Sequence, residues 1–191
     1  YKKNFDYKKF IFELNLEKLN GNIMNRYSEL NIKEKNIKKF IDKSLENLFN
    51  LEIILNIFPK AKFLHTFRNP RDSVISIYQS MLPDLSWTHS IEDILNYFDK
   101  YLEVINFYKN KYPKKIMDVN LEILTSNSIK VSKDIIDFCD LTWNEDVLKF
   151  YKRKNLFSKT LSFAQIRSEV AKYDNNKYKP YFYLLNNYKT K

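Results

Sequence analysis

Glycine and cysteine are almost missing: the 191 residues contain one of each, Gly21 and Cys139. A single cysteine forms no internal disulfide, which excludes a disulfide framework and fits a reducing, cytoplasmic setting. Cys139 stands among Ile135, Ile136, Phe138 and Leu141, so it reads as a buried structural thiol rather than a nucleophile. Histidine is nearly as scarce. His65 and His89 are isolated and, with one cysteine, offer no ligand spacing, so no metal is expected. No apolar run reaches membrane-spanning length and no signal peptide is visible, so no membrane partner is expected. Repeats and low-complexity linkers are missing too.

What is present is apolar and basic. Hydrophobic residues make up 44% of the chain and aromatic residues 16%, with 15 Phe and 14 Tyr. That is enough for a packed core, and the length suits one domain over residues 1–191. Lys and Arg number 33 against 23 Asp and Glu, a formal charge of +10. Such a balance suits phosphate, sulfate, nucleic-acid or anionic-membrane partners. The plainer explanation is a compositional bias, since Lys, Asn, Ile, Tyr and Phe are all abundant while Gly and Ala are scarce. The aromatic residues fall on periodic helix and strand faces, which is core behaviour, and no nucleic-acid-binding motif accompanies them. No nucleic-acid partner is expected.

The pattern predicts alternating helices and strands. Phe10, Ile11, Leu14, Leu16 and Leu19 suggest a helix ending near Gly21. Residues 1–38 read as a helical approach, and Phe40 to Lys43 as a strand end. Glu46 to Phe58 predicts a helix closed by Pro59. Ala61 to Phe67 predicts a buried strand ending at Arg68, and Asn69-Pro70 a turn. A helix follows, with Val74, Ile75, Tyr78, Met81 and Leu82 on its apolar face and Asp72, Ser76 and Ser80 away from it. Ser90 is a good N-cap for a helix over Ile91 to Lys109. Lys115 to Leu121 predicts a second, parallel strand, and Ser128 to Cys139 another helix. The order implies an α/β layer fold with a small parallel sheet and flanking helices. A cation at the carboxyl end of a strand, followed by a hydroxyl early in the next helix, is a candidate anion site.

These pieces, in this order, resemble the sulfotransferase family, and in particular bacterial sulfotransferases related to the tyrosylprotein sulfotransferases. Asp42-Lys43-Ser44-Leu45-Glu46-Asn47 resembles the family's Asp-Lys-x-Pro-x-Asn segment. Phe58 to His65, with Arg68-Asn69-Pro70-Arg71-Asp72 and Ser76, resembles its 3′-phosphate-binding motif. Val119-Asn120-Leu121-Glu122 with Leu124 is similar to its second strand and following turn. Phe138-Cys139-Asp140-Leu141-Thr142-Trp143 resembles a segment in which the family places Gly where Asp140 stands. Thr160, Ser162, Gln165 and Arg167 resemble its late Thr-x-Ser-x-x-Gln-x-Arg motif. The resemblance covers residues 39–185. It implies a P-loop NTP hydrolase-like fold and transfer of a sulfuryl group from 3′-phosphoadenosine 5′-phosphosulfate (PAPS) to an acceptor hydroxyl, on a peptide tyrosine, a carbohydrate or a small molecule.

Residue by residue, the resemblance implies that Arg68 and Ser76 grip the 3′-phosphate. A guanidinium fork suits that task; the plainer alternative is a surface Arg paired with Asp72. It implies that Lys43 is the catalytic lysine facing the bridging oxygen, against the alternative of one more solvated lysine. Leu45 stands where the family has proline. Ser162 matches a serine near the transferred sulfate, against a loop or capping serine. Lys177 falls where a basic residue adds charge at the 3′-phosphate, and Tyr178 where the family has Trp. Leu121 replaces a nucleotide-contacting Tyr and offers no hydrogen bond. His65 reads as a satisfied core or rim histidine, and His89 as a candidate base in a loop toward the acceptor.

The family's other half-site, a Gly-x-x-Arg-Ser-Gly-Thr-Thr loop that cradles the 5′-phosphosulfate, has no match in these residues, and the usual acidic base is missing with it. With a chain that starts at Tyr1, two expectations stand: an N-terminally truncated part of a longer enzyme, or a degenerate member. A non-catalytic nucleotide- or phosphate-binding remnant of the same fold is the alternative function.

Overall fold

The computed structural model describes residues 15–30, 39–153, 167–186 and 188. The chain divides into two compact units, Tyr1–Ala61 and Lys62–Lys191.

The first unit carries two α-helices. Helix α1 spans Leu16–Leu30 and is capped by Asn15, whose Oδ1 accepts the Lys18 N–H at 2.9 Å. The predicted stop at Gly21 does not occur. A Cβ at Gly21 would meet nothing within 4 Å, and mid-helix glycine costs only about 1 kcal/mol relative to Ala, which the apolar repeat of Leu16, Leu19 and Ile23 overrides. The earlier half of that predicted helix, Phe10 to Leu14, lies outside the described residues. Phe40 to Lys43 is not a strand end but irregular chain. The predicted helix over Glu46 to Phe58 is shorter: a 3-10 turn at Leu45–Asn47 leads through a bend into α2, Leu51–Ile57. Asn50 precedes α2 with ψ 9°, off the helical path. The Asn20 amide donates to the Ile57 carbonyl at 2.9 Å and ties α1 to the end of α2.

The second unit is α/β. Strand β1, Phe63–Phe67, pairs in parallel with β2, Ile116–Asn120, in the register Phe63↔Ile116 to Phe67↔Asn120. Between them run α3, Pro70–Ser80, a 3-10 turn at Ser86–His89, and the long α4, Ile91–Lys111. Parallel strands need such a crossover. The Ser90 hydroxyl caps α4, accepting the Asp93 N–H at 3.4 Å. After β2 come α5, Leu121–Ser126, and α6, Ser128–Phe138, then 3-10 turns at Glu145–Lys152 and Lys179–Leu185. The small parallel sheet with flanking helices is the expected fold class.

Three details depart from expectation. Strand β1 is not fully buried: Leu64 and Phe67 are each 40% exposed, since among the described residues β1 has one strand neighbour. Helix α3 ends at Ser80, and Met81 turns the chain with φ 42° and ψ 52°, so Met81 leaves the apolar face and is exposed. Cys139 is half-buried rather than buried. It closes α6 in a turn where the Leu141 N–H reaches the Ile136 carbonyl, the Asp140 N–H reaches Asp137, and Asp140 takes φ 52°. Lys62 clamps that turn, donating to the Phe138 carbonyl and pairing with Asp140.

The main core joins α3, α4 and the C-terminal segment: Val74, Ile75, Ile91, Ile94, Tyr178 and Leu185 are buried together. Trp87, Phe98 and Phe182 pack around it. This core fixes the side of α3 that carries Ser76 against the segment that carries Tyr178. None of the described helices is long and apolar enough to cross a membrane.

Candidate functional site

Arg68 follows directly on β1, where the strand's carboxyl end meets the start of α3. The Arg68 Nε–H donates to Ser73 Oγ at 3.3 Å and Nη2 to the Asp72 carbonyl at 3.4 Å. Both bonds are long, and among the described residues no carboxylate lies within ion-pair distance of the guanidinium. The predicted alternative, an Arg68–Asp72 ion pair, is not formed. The guanidinium lies over two tyrosine rings, 5.2 Å from the centroid of Tyr178 and 5.9 Å from that of Tyr173. Rings at that distance attract a cation and restrict its plane.

Ser76 lies two turns into α3. Its hydroxyl and that of the buried Tyr178 are hydrogen-bonded at 3.1 Å. Lys177 is exposed and its Nζ sits 5.1 Å from the Tyr178 ring. Burial pushes the Tyr178 phenol up, but the bonds to Ser76 and Lys177 and the charges of Arg68 and Lys177 carry it below its ordinary value. Arg68, Ser76, Lys177 and Tyr178 therefore meet in one basic cluster, although they come from distant parts of the chain, Ser76 and Tyr178 being 102 residues apart.

Two backbone N–H groups at the start of α3 are already engaged. The Asn69 side chain accepts the Arg71 N–H at 2.9 Å, and Glu122 Oε1 accepts the Asn69 N–H at 2.9 Å. The Arg68 guanidinium and the Ser76 hydroxyl lie on the flank of α3, beside this capped end. Asp72, expected on the solvent side, is 2% exposed, and its Oδ2 accepts the Tyr173 hydroxyl at 2.6 Å. Burial and that bond push the Tyr173 phenol up to about 12. The Tyr173 N–H donates to Thr125 Oγ1 at 3.0 Å, which fastens the C-terminal segment to α5. Arg71 is exposed and lies over Phe182 at 5.4 Å.

Lys43 is exposed in the first unit, on irregular chain beside the Ser44–Asp42 hydrogen bond of 2.6 Å. Ser162 lies outside the described residues, as do Thr160 and Gln165. The His89 Nε2–H donates to the Leu82 carbonyl at 2.9 Å, leaving Nδ1 as its basic nitrogen. Among the described residues no group of three or more His, Cys, Asp or Glu is placed to hold a metal. Sequence reasoning gives Glu122, Thr125 and Tyr173 no role, and Asp72 only that of a candidate ion-pair partner for Arg68. Asp72 and Glu122 carry a signal, as members of the 3′-phosphate motif and of the second-strand segment.

His65 is half satisfied. Its Nδ1 lies 2.7 Å from Asp118 Oδ1, which also pairs with Lys109, while its buried Nε2 has no hydrogen-bond partner. Burial, more than the Lys109 charge, pushes the imidazole below its ordinary 6.5 and outweighs the Asp118 bond. The unfolded chain then holds more protons between the folded value and 6.5, so stability rises with pH through that window and is complete above it. Burial opposes ionisation of Asp118, yet bonds from Lys109 and His65 keep it below its ordinary 3.8, so its contribution is lost only at lower pH. Urea unfolding is expected to show a midpoint that falls from about pH 7 to about pH 5. His65→Phe should flatten that slope; a slope unchanged in the variant would assign it to another group.

A model of the Sulfotransferase family matches residues 12–145, more than half of the chain. The matched stretch includes Lys43, Arg68 and Ser76 and stops before Ser162 and Lys177. A protein of Aquifex aeolicus (strain VF5), carried under the name "Uncharacterized protein", is 27% identical over 154 residues. That alignment covers 75% of this chain and 19% of the relative, so the chain spans about a fifth of that protein's length. The strand–turn–helix that presents Arg68, the parallel second strand and the family match over both lead to one conclusion: the chain belongs to the sulfotransferase family, with its P-loop-like α/β fold.

Proposed function

We propose that Arg68, Ser76 and Lys177 bind the 3′-phosphate of PAPS, and that the protein transfers its sulfuryl group to an acceptor hydroxyl. The observation that carries this reading is the Arg68 guanidinium, without an ion-pair partner among the described residues, over two tyrosine rings and beside the Ser76–Tyr178 hydroxyl pair. Of its five N–H donors, those on Nη1 have no protein acceptor among the described residues. A phosphate takes such a fork in a bidentate grip, and Lys177 adds a point charge. In the transfer the bond from sulfur to the bridging oxygen breaks, a bond to the acceptor oxygen forms, and the acceptor proton is lost. Charge builds on the bridging oxygen, and Lys43 is the proposed donor to it. Ser162 is the proposed contact to the sulfuryl group. The acceptor is a peptide tyrosine, a carbohydrate or a small hydroxyl compound.

A second reading, a nucleotide- or phosphate-binding module without transfer, is favoured by one sequence fact: no Gly-x-x-Arg-Ser-Gly-Thr-Thr segment occurs among the 191 residues. Both readings place a 3′-phosphate at Arg68. Calorimetric titration should show adenosine 3′,5′-bisphosphate binding at least about tenfold tighter than adenosine 5′-monophosphate, a difference of about 1.4 kcal/mol. Equal affinity for the two would remove the 3′-phosphate assignment. Sulfate transfer from PAPS to a phenol separates the two readings.

A further inference from the structure

We propose that Tyr173 is a positioning residue whose hydroxyl holds the Asp72 carboxylate away from Arg68 and so keeps the Arg68 charge free for an anion. This rests on the reading of Arg68 as an anion-binding residue. Asp72 stands four residues after Arg68, and the guanidinium already reaches its backbone carbonyl at 3.4 Å. The carboxylate of the same residue is the natural ion-pair partner, and Asp72 is buried, at 2% exposed. It turns instead to the Tyr173 hydroxyl at 2.6 Å.

Tyr173 is well placed for this task. Its backbone N–H is anchored on Thr125 at 3.0 Å, and its ring lies 5.9 Å from the guanidinium it shields. Its phenol, pushed up to about 12, remains a donor throughout the neutral range. A buried carboxylate stripped of its donor is strongly disfavoured. Without the hydroxyl, the Asp72 side chain finds Arg68 as its neighbouring cation, and an internal ion pair then competes with any bound anion.

The test uses the 191-residue chain with Tyr173→Phe, Asp72→Asn and the two combined. Adenosine 3′,5′-bisphosphate and inorganic sulfate are titrated separately, and the Arg68 Nε–H resonance is followed by nitrogen-15 NMR. Tyr173→Phe should weaken bisphosphate binding about tenfold, the worth of one competing ion pair of about 1.4 kcal/mol. Adding Asp72→Asn should restore it to within about threefold of wild type, because the competing charge is gone. A merely structural tyrosine predicts a double variant no tighter than Tyr173→Phe, and that result overturns the proposal. If wild type binds neither ligand, the donor-site reading fails, and the resonance decides this one. A shift in Tyr173→Phe that reverts in the double variant sustains it; an unmoved resonance sinks it. Should Tyr173→Phe not fold, Thr125→Val loosens the same tyrosine through its backbone anchor and is judged by the same Asp72→Asn rescue.

Discussion

Arg68→Ala should lower the affinity for adenosine 3′,5′-bisphosphate by roughly 30-fold or more. Truncating one side of a hydrogen-bonded charge pair costs about 2–5 kcal/mol, and each 1.4 kcal/mol is about tenfold. The protein itself should tolerate the change. Among the described residues Arg68 donates two long bonds, at 3.3 and 3.4 Å, to groups on its own turn, so the loss of folding stability should stay near 1 kcal/mol. Arg68→Lys keeps the charge but not the fork, and an intermediate affinity is expected. Calorimetry on the three proteins gives the order, and melting curves show whether fold and affinity part as expected. An alanine variant that binds within about twofold of wild type would mean that the phosphate lies elsewhere.

The second large effect is on stability. Ile75 is 0% exposed and packs in the cluster shared with Val74, Ile91, Ile94, Tyr178 and Leu185. Ile75→Ala should cost about 2–5 kcal/mol, from lost burial and the cavity left behind. Against a total stability of about 5–15 kcal/mol that is a large share. Because Ile75 precedes Ser76 and its cluster includes Tyr178, the same change should loosen the Ser76–Tyr178 hydroxyl contact. Urea unfolding measures the first effect, and bisphosphate titration well below the midpoint measures the second. A cost under about 1 kcal/mol would show that α3 repacks freely on α4.

The strands and the long helix were legible because their signals are local. Ile91, Ile94, Ile105 and Tyr108 repeat with helical period and are buried, and Ser90 caps the helix as its position predicts. Helix α5 was read as a turn, although Asn120 followed by Ile123 is a capping pattern, with the Ile123 N–H on Asn120 Oδ1 at 2.9 Å. The burial of Asp72 is not legible in the sequence, although its place in the 3′-phosphate motif is. Helical period puts it on the solvent face, and what buries it is a tyrosine 101 residues away. The strand–turn–helix pattern marks Arg68 and the hydroxyl after it as a candidate anion site, whereas Lys177 is reachable only through motif resemblance. Their proximity depends on how the C-terminal segment packs on α3, and nothing local encodes that.

The near-absence of glycine returns at two corners. Met81 and Asp140 take left-handed conformations at φ 42° and φ 52°, which cost an L-residue about 1–2 kcal/mol each. At Asp140 the ion pair with Lys62 offsets little of this, because the Asp140 side chain is 72% exposed. The chain thus holds an unused reserve. Its backbone already has the shape that glycine prefers, and the side chains are the source of the strain. An engineer seeking a sturdier protein would start at these two turns and leave the anion cluster untouched.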